Sequence, residues 1–119
     1  MKMKNDLPRD AVVDKAAMRE AAGAACALMK ALSNPDRLLL LCELSEGERN
    51  VGELQEAVGV AQPTLSQQLA VLRDEELVAT RRDGKNIYYS VASPQALAVL
   101  QVLYAQFCAP AGKRPRSRT

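Results

Sequence analysis

Histidine and tryptophan are absent from this chain of 119 residues, which holds a single phenylalanine and three tyrosines. Without histidine there is no imidazole to act as a base beside a nucleophile, and the commonest nitrogen ligand for a metal is missing. With so few aromatics the core has to be assembled from Leu, Val, Ala and Met, a stock that favours helices. Met1 to Asp10 mixes Lys and Asp around Pro8 and holds no apolar run of signal-peptide length, so the expected compartment is the cytoplasm. Only three cysteines occur, Cys26, Cys42 and Cys108. In a reducing compartment a permanent disulfide framework is not expected, and packing, ligation and redox chemistry are the roles open to them.

What is present points to one domain, because this length suffices for a single core and is too short for two ordinary ones. The formal charge is +2, yet Lys113, Arg114, Arg116 and Arg118 crowd into the last seven residues, leaving 12 basic against 14 acidic side chains elsewhere. Net charge therefore does not nominate nucleic acid as a partner, and a local surface has to. Residues 111–119 read as a basic, disordered tail able to add a phosphate contact, residues 1–12 as a flexible segment, and 13–110 as the folded domain.

Between Val13 and Leu32, Met18, Ala22, Ala25, Leu28, Met29 and Leu32 recur at helical spacing with a small-residue face. Ser33-Asn34-Pro35-Asp36 marks a boundary: Pro35 suits the first turn of a second helix, Asn34 its cap, and Asp36 its dipole. That helix runs to about Ser45. Val51, Leu54 and Val58 mark a short third helix closed by Gly59. In the next segment Pro63 falls at the expected first helical position with Gln62 near the cap, and Leu65, Leu69 and Leu72 form the apolar stripe of helix four. The period then changes. "LVATRR" and "NIYYSV" alternate and are separated by Asp83, Gly84 and Lys85, a hairpin signature. Ser93 and Pro94 open a last helix whose apolar residues cover most of its circumference. Gln95, Gln101 and Gln106 interrupt it and Pro110 stops it, which argues against a membrane span. One small domain covers only one face of such a helix, so the other is expected to meet a second copy of the chain.

The expected fold is mainly α with a small β-hairpin: a dimeric winged helix-turn-helix of five helices and a two-stranded wing. The short link from Gly59 to Ala61 angles helices three and four so that the latter can enter a major groove of double-stranded DNA. Helix four presents Gln62, Thr64, Ser66, Gln67 and Gln68 near its N-terminal end. Gln pairs bidentately with adenine, and hydroxyls bond phosphates or base edges. A Gln/Ser/Thr face with no acid before Asp74 is read as DNA-binding rather than as a merely solvated face. Arg81, Arg82, Lys85 and Asn86 cluster near the hairpin tip, where a wing can set cations against the backbone or minor groove; a basic turn is also often only a solvated one.

"LSNPDRLLLLCEL", "VGELQEAVGVAQPTLSQQLAVLRDEELV" and "TRRDGKNIYYSV" resemble, in order and spacing, the signatures of the ArsR/SmtB family of dimeric winged-helix repressors, over about Ala27 to Cys108. The resemblance implies a homodimer joined through its first and last helices, bound to a pseudo-palindromic operator and released by an inducer. The metal-sensing branch carries paired cysteines at the start of the third helix; here the corresponding run is Glu48, Arg49, Asn50, Val51, Gly52, Glu53, Leu54. Zinc sensors of the last helix use histidines, and this chain has none. A cysteine in the second helix, another at the end of the last and "QPTLSQQL" instead resemble the persulfide-responsive subgroup. That resemblance implies a sensor pair at Cys42 and Cys108 with low-molecular-weight persulfides as inducer and no cofactor or metal. Cys26 has no counterpart and is read as structural.

Chemistry constrains this pair. Each cysteine is expected near a helix C-terminus, whose negative end disfavours a thiolate. A direct disulfide demands Cα atoms within about 7 Å, whereas each inserted sulfur adds a bond of about 2.05 Å, so thiols held slightly too far apart would accept a polysulfide bridge more readily than a disulfide. A thiophilic metal or arsenite sensor is the alternative, hampered by a donor set of three cysteines and carboxylates. An inducer-free DNA-binding module comes third. An enzyme is disfavoured, because no nucleophile and base pair, metal cluster or phosphate loop is evident.

Overall fold

Local caps set the element boundaries in the computed structural model, which describes residues 14–108. The expected flexible segment over 1–12 and the basic tail over 111–119 lie outside the described residues. Asp14 caps α1 (Lys15–Leu32) by accepting from the Ala16 N–H. Asn34 caps α2 (Pro35–Leu44) through the Arg37 N–H, with Pro35 in the first turn. Asn50 and Glu53 form a reciprocal capping box on α3 (Val51–Val58), which Gly59 ends with a left-handed φ of 80°. Ser93 caps α5 (Pro94–Leu103) through the Ala96 N–H.

α4 (Thr64–Asp74) begins one residue later than expected: Pro63 is its cap residue. Pro63 offers no side-chain acceptor, and the carboxamide oxygen of Gln62 bonds the Ser66 N–H at 3.3 Å instead. The helix stops in a Schellman motif, with the Leu77 N–H donating to the Leu72 carbonyl and the Glu76 N–H to that of Arg73. Glu76 takes the left-handed position at φ 62°, where glycine is usual.

The wing is the expected hairpin, β2 (Val78–Asp83) against β3 (Asn86–Val91), with Asp83 opposite Asn86. Gly84 has φ 65° at the first loop position, a conformation that an L side chain resists. The sheet has a third strand, which the two-stranded expectation lacked. β1 (Arg49–Asn50) pairs with β3, giving the antiparallel order β1-β3-β2 with Arg49 opposite Tyr89. Two residues carry no alternating pattern, so this strand exists only because β3 offers it a free edge.

The core consists of fully buried Leu40, Leu41, Leu54, Leu65 and Leu72 together with Ala96, Leu100 and Leu77. Each wholly buried leucine contributes about 1.5–3 kcal/mol. No buried side chain among the described residues is polar or charged. Past Leu103 the last helix loosens into a π-helical turn, Tyr104–Cys108, which sequence spacing did not reveal. None of the described helices is long and apolar enough to cross a membrane.

Candidate functional site

Two surfaces carry the candidate residues. The first is the outer face of α4 with the wing. Leu65, Leu69 and Leu72 are buried, so the 3.6-residue period turns Ser66 and Gln67 outward. Gln67 is exposed and makes no side-chain hydrogen bond among the described residues, leaving its carboxamide free. The Ser66 hydroxyl donates to the Gln62 oxygen at 2.5 Å, so these two exposed side chains act as a unit. Thr64 is half-buried at the helix start.

Gln68 differs from its neighbours. It is half-buried, and its carboxamide oxygen accepts from Arg37 Nη1 at 2.9 Å. Arg37 Nε also donates to the Ala31 carbonyl at 2.8 Å, so one guanidinium ties the end of α1 to α4. This places Gln68 in a brace behind the exposed face.

The wing cations divide likewise. Arg81 is held by Glu48 in a two-pronged ion pair, Nε to Oε2 at 2.9 Å and Nη2 to Oε1 at 2.8 Å, and its guanidinium carbon lies 4.9 Å from the centre of the Tyr88 ring. The hydrogen bond from Arg81 holds the Glu48 carboxyl below its ordinary range, and the same bond raises the guanidinium pKa. Arg81 is thus a strut between the wing and the loop before β1. Among the described residues Arg82 reaches only the Gly84 carbonyl, at 3.4 Å, and Lys85 is exposed at the tip.

The second surface is a cleft of about 550 Å³ between α2, α3 and the last helix. Cys42 and Cys108 both line it, although 66 positions separate them in the sequence. α2 presents Cys42 here because Leu40, Leu41 and Leu44 occupy the core side of the helix. Cys42 is half-buried and Cys108 exposed. Burial pushes the Cys42 thiol pKa up, and the neighbouring Cys108 and the Glu46 carboxylate add to the rise. The helix-end argument anticipated this direction; burial, its first cause, depends on packing. Cys26 lies apart from the cleft, exposed on α1.

Sequence reasoning missed Glu43 and Glu46, the two charged residues that line the cleft, and also Glu48 and Arg37. Glu43 is ion-paired with Arg49 of β1 at 3.2 Å. Glu43 lies in the last turn of α2 and Glu46 just past its cap; nothing local tied either to the cysteines.

Residues 34–80 match the family profile described as bacterial regulatory protein, arsR family. The biofilm growth-associated repressor of Agrobacterium fabrum is 48% identical over 94 residues, 79% of this chain and 80% of that one. The crystal structure of the transcriptional repressor BigR from Xylella fastidiosa superposes with a TM-score of 0.74 at 45% identity, covering 82% of this chain and all of the other. A homodimeric winged helix-turn-helix DNA-binding domain from Mycobacterium bovis superposes with a TM-score of 0.63 at 30% identity, covering 81% and 86%.

Proposed function

Because the chain belongs to the arsR family of bacterial regulatory proteins, we propose that it is a cytoplasmic homodimeric repressor, released from operator DNA when persulfides act on Cys42 and Cys108. One observation carries this reading: the two thiols line a single cleft between helix α2, which helps pack the DNA-reading α4, and the last helix. In the proposal, Ser66 and Gln67 read base edges, Gln62 and Thr64 meet the phosphates at the helix start, and Arg82 and Lys85 anchor the wing. Gln68 supports this surface from behind through Arg37, and Arg81 steadies the wing as an exposed strut to Glu48.

The dimer accounts for the apolar residues that the protomer leaves uncovered. Met18 and Met29 on α1 are 53% and 58% exposed, and Phe107 at the end of the last helix is 71% exposed. A second copy related by two-fold symmetry would cover these faces and set two α4 helices against half-sites about 34 Å apart.

The chemistry balances without an outside oxidant. A cysteine thiolate attacks the terminal sulfur of R–S–S–H and expels RS⁻, leaving a protein persulfide. When both cysteines carry one, attack of either on the other releases H₂S and leaves a trisulfide. The bridge locks α2 to the last helix, which is also the dimer helix. Linkage does the rest: DNA affinity falls only if the bridge favours an arrangement whose reading helices no longer fit both half-sites.

Cys42→Ser and Cys108→Ser should each bind the operator with wild-type affinity and fail to leave it on persulfide treatment, in a fluorescence anisotropy titration. Mass spectrometry of the treated wild type should find whole sulfur atoms in a cross-link between α2 and last-helix peptides. Release of both serine variants by persulfide, or loss of the response in Cys26→Ser alone, refutes the two-cysteine switch.

A further inference from the structure

The cleft is much larger than a sulfur bridge requires. Its volume of about 550 Å³ falls within the range of small-molecule pockets, whereas each sulfur inserted into a bridge adds only about 2.05 Å of bond. Leu39, Leu97, Leu100 and Tyr104 give it an apolar wall long enough to take an organic substituent. Its charge is of one sign. Glu43 and Glu46 line it, and among the described residues no lysine or arginine does. Arg49 pairs with Glu43, while Glu46 has no ion-pair partner among the described residues. The carbonyl end of α2 adds negative potential at the same place. An anionic molecule entering such a partly enclosed site is repelled more strongly than in open solvent.

Resting on the reading of Cys42 and Cys108 as a sulfur-sensing pair, we propose that this cleft binds the sulfur carrier itself. It selects uncharged organic carriers, dialkyl trisulfides and longer polysulfides, over anionic ones, with Glu46 as the discriminating charge. The step is self-contained. The exposed Cys108 thiolate attacks the central sulfur of R–S–S–S–R and expels one RS⁻. Cys42, as thiolate, then attacks that same sulfur in the mixed trisulfide and expels the second. Two protein thiols and one trisulfide become one protein trisulfide and two R–SH. The cysteine sulfurs are oxidised, the two outer sulfurs of the carrier are reduced, and the thiol protons end on the departing thiols. The apolar wall holds the departing R group, so the carrier contributes binding energy that a bare sulfur atom lacks.

Dipropyl trisulfide and bis(2-carboxyethyl) trisulfide share the reacting group and nearly the same substituent size and differ in charge, which makes them the matched probes. Bridging of the full-length chain is followed by mass spectrometry, with each rate divided by the rate of the same donor with N-acetylcysteine. The expected preference for dipropyl trisulfide is about tenfold or more at low salt and shrinks as salt is raised. Glu46→Gln narrows it severalfold and Glu46→Lys narrows it further, with far-ultraviolet dichroism reporting that both variants are folded. Equal normalised rates, or a preference unmoved by both substitutions and by salt, overturn the selection while leaving the cysteine pair intact. Bridging by sodium tetrasulfide but by neither trisulfide also overturns it alone. Failure of all three donors to bridge Cys42 and Cys108 overturns the sensor reading and this inference together.

Discussion

Helices α4 and α5 are of nearly equal length and dispose of their apolar residues in opposite ways. α4 turns Leu65, Leu69 and Leu72 wholly into its own subunit and shows solvent Ser66 and Gln67. α5 buries Ala96 and Leu100, and it and the following π turn leave Val102, Tyr104 and Phe107 more than half exposed. A helix that satisfies its apolar stripe internally is free to offer hydrogen-bonding groups to a polar ligand. One that does not is unfinished, and its remaining free energy is available to another chain. The first arrangement suits a DNA reader, the second a dimer contact that also forms one wall of the cysteine cleft.

The largest effects should separate the two helices by what each residue supports. Leu65→Ala opens a cavity under α4 and should cost about 2–5 kcal/mol in denaturant unfolding, independent of protein concentration. Phe107→Ser should leave protomer packing intact and instead shift the monomer–dimer equilibrium toward monomer in analytical ultracentrifugation. A Phe107 variant as dimeric as the wild type would erase the contrast.

Within the proposed DNA-reading surface the contrast is between helix and wing. Loss of the Ser66 hydroxyl or the Gln67 carboxamide, by alanine substitution, should reduce discrimination among operator variants by about 1–3 kcal/mol for a good base contact. Arg82→Ala or Lys85→Ala should weaken all sequences alike and lower the salt slope by about one unit per lost phosphate contact. Arg81→Ala should change that slope less, because Glu48 already holds its guanidinium. Sequence preference lost in the wing variants and kept in the helix variants would reverse the assignment.

Smaller effects concern how the helices end. α3 stops on Gly59 and α4 on Glu76, both left-handed. Glu76→Gly should therefore stabilise the fold by up to about 1 kcal/mol, read as a raised urea midpoint. Smallest of all is the exposed Glu48–Arg81 pair. Because the Glu48 pKa is lowered in the fold, its contribution is present above the unfolded carboxyl value of about 4.3 and lost as the pH falls through the folded value. Glu48→Gln should lower stability slightly near neutral pH and leave it unchanged in acid, which flattens that acid limb in thermal melts.

Much of this was legible before any coordinates. The caps at Asn34 and Ser93, the proline starts at Pro35 and Pro94, the glycine stop at Gly59 and the Gly84 hairpin are settled by groups within a few residues of each other. The leucine stripe of α4 determined which side chains face outward. β1, the π turn and the engagement of Gln68 and Arg81 were not legible: β1, Gln68 and Arg81 each depend on a partner supplied by another element, β3, Arg37 and Glu48, and no local spacing marks the π turn.

By itself, then, the sequence determined element order, the outward polar face of α4 and the candidacy of its cysteines, since hydrogen bonding at helix ends and side-chain periodicity are local. Tertiary structure alone decided which polar groups remain free, because Gln67 and Gln68 are adjacent and chemically identical yet only one meets Arg37. It also decided that Cys42 and Cys108 share a half-open, acid-lined cleft. Proximity across 66 residues follows from how leucines on two helices pack against a common core, and burial and field at a thiol are properties of that packing.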